Sequence, residues 1–415
     1  MKTARVWTQP LIYGLPAWPL AMLGIPLYIY LPNYYHQMGV ELALVGVMLL
    51  LARVTDVITD PLIGLWRDRL SANARKLMIL VGWALLLLSL WQLLLPEQAS
   101  ASHLLVWALL VYLAWSLIMI PYQAMTAEVT RQYHRKTQFT ASREALAILG
   151  VVSVLLLPVI LDLAPDGRDF FSHLFPIIAL SLTLFLGLML WRLRLPVIAK
   201  KQPEKGVFNN QAWLLIWRDS ASRQLLPAYF LNSLANALPA TLFILFVEHY
   251  LELSAQTGIL LLAFFIAGVL ALPGWIWLAK RLGKYTAWRG SMLLACLSFV
   301  WVFTLESGDF TGFLIISFIS GLSLGADVAL PSSIQADIAQ RLSQQQGAVN
   351  GLLFGIWGML TKFALALAVG IAFPILGWLG WENQSQQSLD ALLWLYAGLP
   401  VLIKLAVLAW LRNVL

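Results

Sequence analysis

Cysteine is almost missing from the 415 residues: Cys296 stands alone, which excludes an intramolecular disulfide framework and any multi-cysteine metal centre. Histidine is scarce as well, with five scattered residues and no H-x-x-x-H spacing. No G-x-x-x-x-G-K-[ST] run occurs, which argues against an ATP-driven pump domain, and no catalytic constellation stands out, so neither an enzyme nor a cofactor is expected. The most telling shortage is charge. Asp, Glu, Lys and Arg supply only 11% of the chain, against roughly a quarter in an ordinary soluble domain. Hydrophobic residues supply 60%, and the mean hydropathy is +0.79. The net charge of +7 could suit nucleic acid, but most charges sit in short segments between long apolar runs. That distribution suits orientation in a lipid bilayer, and no nucleic-acid partner is read from it.

About 20 apolar residues cross a bilayer as helix. By that measure the sequence predicts twelve spans, at 12–36, 42–65, 77–95, 103–127, 143–161, 172–192, 224–247, 254–279, 288–305, 310–334, 348–375 and 389–411. The fold class is therefore an all-α integral membrane protein. The first run is interrupted by Pro16, Pro19 and Pro26 and lacks a clear small-x-small cleavage signal, so it reads as a kinked first span and not as a signal peptide. The longest polar connection follows the sixth span and divides the chain into a six-helix half at 1–195, a linker at 196–223 and a second six-helix half at 224–415. Two related halves are a common transporter plan.

With an even number of spans, both termini share one side. Nearly all loop arginines and lysines fall there, while the opposite loops hold a single basic residue, Arg168, beside Glu41, Glu97, Asp162, Asp169, Glu248, Glu306 and other acids. This places both termini in the cytoplasm of a multi-pass protein of the plasma (inner) membrane. The partners expected are the bilayer and a small or amphipathic solute, and the chain is expected to act as a monomer.

Several charges lie inside the spans, where they must face protein, water or an ion. Arg53, Asp56 and Asp60 are spaced three and four apart in the second span and share one helical face. Arg53 could neutralise one carboxylate, which leaves a surplus negative charge that Na⁺ or H⁺ would settle. Asp56 and Asp60 are thus the candidate cation-binding pair. Lys362, near the middle of the eleventh span, is expected to pair with Asp56 or Asp60, and Arg53 and Lys362 are the candidate charge-coupling residues. Lys404 lies closer to the end of its span and is expected to snorkel. The candidate gate comprises Asp68 and Arg69 after the second span, Glu128 and Arg135 after the fourth, Asp327 in the tenth and Asp337 just after it. Glu128, Arg131 and Arg135 read as a solvated stripe or as gate salt bridges. Asp337 is expected at the cytoplasmic end, in contact with the basic loop of its own half.

The run Arg53-x-x-Asp56-x-x-x-Asp60-Pro61-x-x-Gly64, with Tyr13-Gly14 before it and Ile120-Pro121-Tyr122, Glu128-Val-Thr130, Arg135 to Arg143 and Lys362 after it, resembles the glycoside-pentoside-hexuronide:cation symporters of the major facilitator superfamily. The resemblance runs through nearly the whole chain. It implies twelve helices in two halves, a coupling Na⁺, Li⁺ or H⁺ at Asp56 and Asp60, a basic residue at Lys362 near that site, and Arg143 bordering the substrate pocket. Tyr122 and Trp357 are further cavity candidates. The melibiose-transporting members grip sugar hydroxyls with two acids whose positions match Ala21 and Met119 here. A polyol without acceptors is costly to bury, so a simple hexose is not the expected cargo. The expected activity is cation-coupled symport of a small organic solute by alternating access. The alternative is a cation-independent uniporter or flippase for a lysolipid or similar amphiphile, given the branch that carries lysophospholipids with sodium.

Overall fold

A computed structural model describes residues 2–130, 132–164, 167–193, 210–346, 349–381 and 385–413. Arg131 and the first half, 196–209, of the linker expected at 196–223 lie outside the described residues. The helices are α1 (Lys2–Gly14), α2 (Ala17–Ala21), α3 (Leu31–Gln37), α4 (Leu42–Arg69), α5 (Ala72–Leu94), α6 (Ala101–Val129), α7 (Tyr133–Leu161) and α8 (Arg168–Arg192). They continue as α9 (Asn210–Arg218), α10 (Ser220–Leu245), α11 (Thr257–Leu282), α12 (Lys284–Val300), α13 (Phe310–Gln346), α14 (Asn350–Trp378), α15 (Gln386–Leu393) and α16 (Leu399–Trp410).

Eleven helical segments among the described residues are long and apolar enough to cross a membrane. To these is added α4, 28 residues long and interrupted by the charges of Arg53, Asp56 and Asp60. The first span is broken as its prolines demand: α1 and α2 are followed by a π-helical turn at Pro26–Tyr30 and then α3. Several helix starts are capped by side chains. Ser71 Oγ accepts the Ala74 N–H at 3.3 Å to start α5, Ser100 Oγ accepts that of His103 at 3.1 Å to start α6, and Asp219 accepts that of Ser222 at 2.8 Å to start α10.

The chain forms two compact units, Met1–Ala212 with Ala336–Met359, and Trp213–Gln335 with Leu360–Leu415. In the first, the core is a continuous apolar packing of Tyr13, Leu20, Tyr35, Leu90, Phe139, Phe171 and their neighbours. In the second, Phe246 stacks flat on Tyr396 with ring centroids 4.1 Å apart, among Phe313, Leu242 and Leu376. The outer faces remain apolar: Val159 is 76% exposed and Trp378 85%. In a helix of a soluble protein such residues would turn inward, so these faces belong against lipid.

Candidate functional site

The middle of α4 is a stretch of helix in which the side chains compete with the backbone. Thr55 donates its hydroxyl to the Ala52 carbonyl at 2.8 Å and Thr59 to that of Asp56 at 3.2 Å, while Pro61 supplies no N–H to the turn before it. Asp56 and Asp60 are buried, Asp60 to 1% exposure. Between them stands Ser116 of α6, whose Oγ lies 3.0 Å from Asp56 Oδ1 and 2.6 Å from Asp60 Oδ1. Two carboxylates and a hydroxyl converge as hard oxygen donors, the set that suits an alkali cation or a shared proton.

The glycines of α14 let that helix close on the pair. A Cβ at Gly355 would meet the Asp60 carbonyl oxygen at 2.5 Å, and one at Gly358 would meet Asp60 Oδ2 at 2.6 Å. Further along, Gly64 and Gly351 face each other backbone to backbone, so close that a Cβ on either would strike the other's carbonyl oxygen.

Arg53 turns away from the aspartates. Its guanidinium lies over the Tyr28 ring, 3.3 Å from the centroid, and its Nε donates to Tyr112 Oη at 3.5 Å. No described carboxylate forms an ion pair with it.

The expected cavity residues have distinct settings. Ala21 packs near Gly150 of α7, where a Cβ would meet that of Ala21 at 3.2 Å, and Met119 packs on the apolar core of the first unit. Tyr122 is fully buried and tied to Tyr13 reciprocally: Tyr122 Oη donates to the Tyr13 carbonyl at 2.6 Å, and Tyr13 Oη donates to that of Tyr122 at 2.9 Å. Arg143 is buried, with its guanidinium on the Glu144 carboxylate. Trp357 is buried on α14.

A buried ionic network closes the basic end of the first unit. Arg67 Nη1 meets Asp68 at 3.0 Å and Arg67 Nη2 meets Glu128 at 2.5 Å; Arg75 Nη1 reaches the same Glu128 oxygen at 3.0 Å, and Asn350 Nδ2 reaches it at 3.3 Å. Asp68 also accepts the backbone N–H groups of Gly351 at 2.6 Å and Leu352 at 2.9 Å, so a residue of α4 caps the start of α14. The stripe reading of Glu128 as solvated is therefore corrected, since its side chain is buried among cations. The Asp337 carboxylate meets Lys136 Nζ of α7 at 2.8 Å. Arg135 Nη2 donates to Gln9 at 3.3 Å, and Arg69 is exposed at the end of α4.

In the second unit the hub is Asp327. It accepts Lys404 Nζ at 2.7 Å, Trp288 Nε1 at 3.1 Å, Ser291 Oγ at 3.2 Å and Asn236 Nδ2 at 3.3 Å, and Lys404 also donates to Asn232 at 2.7 Å. Snorkelling of Lys404 is overturned, because the residue is 5% exposed and points into a carboxylate. Lys362 lies half-buried on α14, one residue past Thr361, whose hydroxyl is 2.7 Å from that of Tyr229.

Ser116, Tyr112, Arg67, Arg75 and Asn350 escaped the sequence reading. Ser116 stands one turn ahead of Ile120-Pro121 in an apolar span that also carries the hydroxyls of Tyr112, Tyr122 and Thr126, so nothing in the sequence sets it apart. All five needed tertiary contacts to single them out.

Residues 12–413 match the family model described as MFS/sugar transport protein. The sodium-dependent lysophosphatidylcholine symporter 1-A of Danio rerio is 22% identical over 380 residues, which cover 81% of this chain and 71% of that protein. The isoprimeverose transporter of Lactiplantibacillus pentosus is 21% identical, with 96% and 87% covered. The solved fucose:proton symporter of E. coli superposes with a TM-score of 0.69 at 12% identity, over 97% of both chains.

Proposed function

The chain belongs to the MFS/sugar transport protein family and is a multi-pass membrane transporter, and from that premise we propose cation-coupled symport of an amphipathic organic solute by alternating access. The observation that carries the coupling is the bridge from Ser116 to Asp56 and Asp60. A hydroxyl has one proton and can donate to one carboxylate. The second close contact would be favoured by a proton on that carboxyl or a cation among the oxygens, because two ionised carboxylates around one hydroxyl repel. Asp56 and Asp60, with Ser116, are the residues that would hold Na⁺ or H⁺, and Lys362 is retained as a charge-coupling residue. The sodium dependence in the name of the Danio rerio relative supports Na⁺.

The cargo is read from Ala21 and Met119, which offer no acceptors to a hexose, together with a relative named for lysophosphatidylcholine. Tyr122, Arg143 and Trp357 stay candidates for the walls of its path. The network of Arg67, Asp68, Glu128, Arg75 and Asn350, with Arg69, Arg135 and the Lys136–Asp337 pair nearby, serves as the gate that must break during the cycle, and Asp327 braces the second half. Basic-residue bias puts both termini in the cytoplasm of the plasma (inner) membrane, with six-helix halves at 1–195 and 224–415 acting as a monomer.

The test is uptake of lysophosphatidylcholine by proteoliposomes holding the full chain. An inward Na⁺ or H⁺ gradient should raise uptake, and Asp60→Asn should abolish that dependence. Equal uptake with and without either gradient would instead establish the cation-independent flippase.

A further inference from the structure

We propose that the outer groove between α5 and α8 of the first unit binds an anionic phospholipid of the bilayer, with Lys76 and Arg192 holding the phosphodiester and an acyl chain lying along the groove. The site is independent of the cation reading above and of what the chain transports.

Two side-chain hydrogen bonds join these helices and show that they run in opposite directions. Lys76 Nζ donates to the Leu190 carbonyl at 3.5 Å, and Trp83 Nε1 donates to Thr183 Oγ1 at 3.1 Å. Lys76, Leu80 and Trp83 are spaced four and three apart and form one stripe of α5, while Thr183, Gly187 and Trp191 are spaced four apart and form the facing stripe of α8. Gly187 leaves a notch in it. The residue is exposed, and a Cβ there would meet nothing within 4 Å. Leu80 is exposed and Trp191 is 73% exposed, so the groove opens on the apolar outer surface. On a face that belongs against lipid, a notch one side chain deep is filled by an acyl chain.

The charge at one end of the groove selects the headgroup. The Leu190 carbonyl brings Lys76 Nζ to within two residues of Arg192, whose guanidinium lies over the Trp191 ring, 4.5 Å from its centroid. Neither cation forms an ion pair among the described residues. A basic residue that only orients a chain can point anywhere at the membrane surface. Lys76 and Arg192 are instead held at one corner by a carbonyl and a ring, partners that fix them without neutralising them. Ammonium and guanidinium only donate, and the oxygens of a phosphodiester only accept. A zwitterionic headgroup adds a cation that finds no carboxylate here, and a free phosphate would leave the notch empty. Arg75, the residue before Lys76, binds Glu128 at 3.0 Å, which sets this corner beside the buried ionic network.

The test uses the full chain, purified in an uncharged detergent, and titrates its thermal stability with phosphatidylglycerol, phosphatidylcholine of the same acyl chains and inorganic phosphate. A basic residue at a membrane surface contributes about fivefold to the binding of anionic lipid, so phosphatidylglycerol should bind about twenty-five-fold more tightly than phosphatidylcholine. Lys76→Gln and Arg192→Gln should each cut that margin about fivefold, and the double variant should nearly erase it. If the double variant does not fold, the two single variants carry the comparison. Arg412→Gln removes a charge from an exposed residue elsewhere and should leave the margin unchanged. Gly187→Leu fills the notch with both cations in place and should weaken phosphatidylglycerol about tenfold, the effect of roughly two methylenes leaving an apolar contact. The assignment is overturned by a wild-type chain without a margin, by an unchanged margin in the double variant, or by an equal fall in Arg412→Gln. Undiminished binding in Gly187→Leu overturns it as well. Stabilisation by inorganic phosphate as strong as that by phosphatidylglycerol would identify a free anion as ligand and likewise remove the lipid.

Discussion

The carboxylate of Asp68 accepts the backbone N–H of Gly351, 283 residues later in the chain, at 2.6 Å, so one helix supplies the N-terminal cap of another. The same carboxylate holds Arg67, whose guanidinium is itself buried against Glu128. Asp68→Asn would turn a donor toward a donor and leave Arg67 short of one negative partner. A lost cap is worth about 0.5–2 kcal/mol and a broken buried pair about 3–5 kcal/mol. The contact between α4 and the start of α14 should therefore open more often. Cys296 is buried and is the only native cysteine, so a cysteine placed at the buried Ala339 can report this opening by maleimide labelling. Labelling should rise on the order of tenfold in Asp68→Asn, a change of about 1.4 kcal/mol in the opening equilibrium. An unchanged rate would remove Asp68 from the gate.

In the second unit, Lys404→Met leaves the Asp327 carboxylate with only the neutral donors Trp288, Ser291 and Asn236. The uncompensated buried charge should cost about 3–5 kcal/mol. Pairing it with Asp327→Leu removes the stranded charge, and the double variant should melt nearer the wild type than Lys404→Met does. Thermal unfolding in detergent measures both. Additive losses would show that the two residues act independently despite their 2.7 Å contact.

Ser116→Ala removes a hydroxyl that touches both aspartates. Hydrogen bonds to charged groups contribute about 1.5–3 kcal/mol, so cation affinity should fall by roughly ten- to hundredfold. The Na⁺ concentration for half-maximal thermal stabilisation reads this directly. A variant with wild-type Na⁺ dependence would show that the bridge is incidental to ion binding.

The spans and the charged face of α4 were legible because both obey rules local in sequence: apolar length for the helices, and three- and four-residue spacing for Arg53, Asp56 and Asp60. Even the broken first span was visible in Pro16, Pro19 and Pro26. Partner choice was not legible. Lys404 sits near the end of an apolar run, and only the fold shows that Asp327 of α13 waits within 2.7 Å, which makes inward burial cheaper than snorkelling. Likewise Arg53 and Asp56 have the spacing of a salt bridge. Tyr28, brought in by a π-helical turn, offers the guanidinium a competing ring face that no spacing rule foretells. Ser116 was one serine among many, and its importance comes from lying across from α4.

Gly358 faces the Asp60 side chain directly, and a Cβ there would meet Oδ2 at 2.6 Å. A clash at the end of a flexible side chain is often relieved by rotation. Asp60 has little freedom to rotate, because its other oxygen is held by Ser116 at 2.6 Å and the residue is 1% exposed. Gly358→Ala should accordingly push the carboxylate off the cation position and raise the Na⁺ requirement about tenfold, a loss near 1.4 kcal/mol. The control is Gly370→Ala on the same helix, where nothing lies within 4 Å of the added carbon. There the alanine should leave Na⁺ dependence unchanged and stabilise the helix by up to about 1 kcal/mol through propensity alone. Sodium titration of thermal stability separates the two effects, since propensity shifts the melting point at every Na⁺ concentration while displacement of Asp60 moves the midpoint of the titration. Identical midpoints in both variants would mean that α14 does not fix the carboxylate.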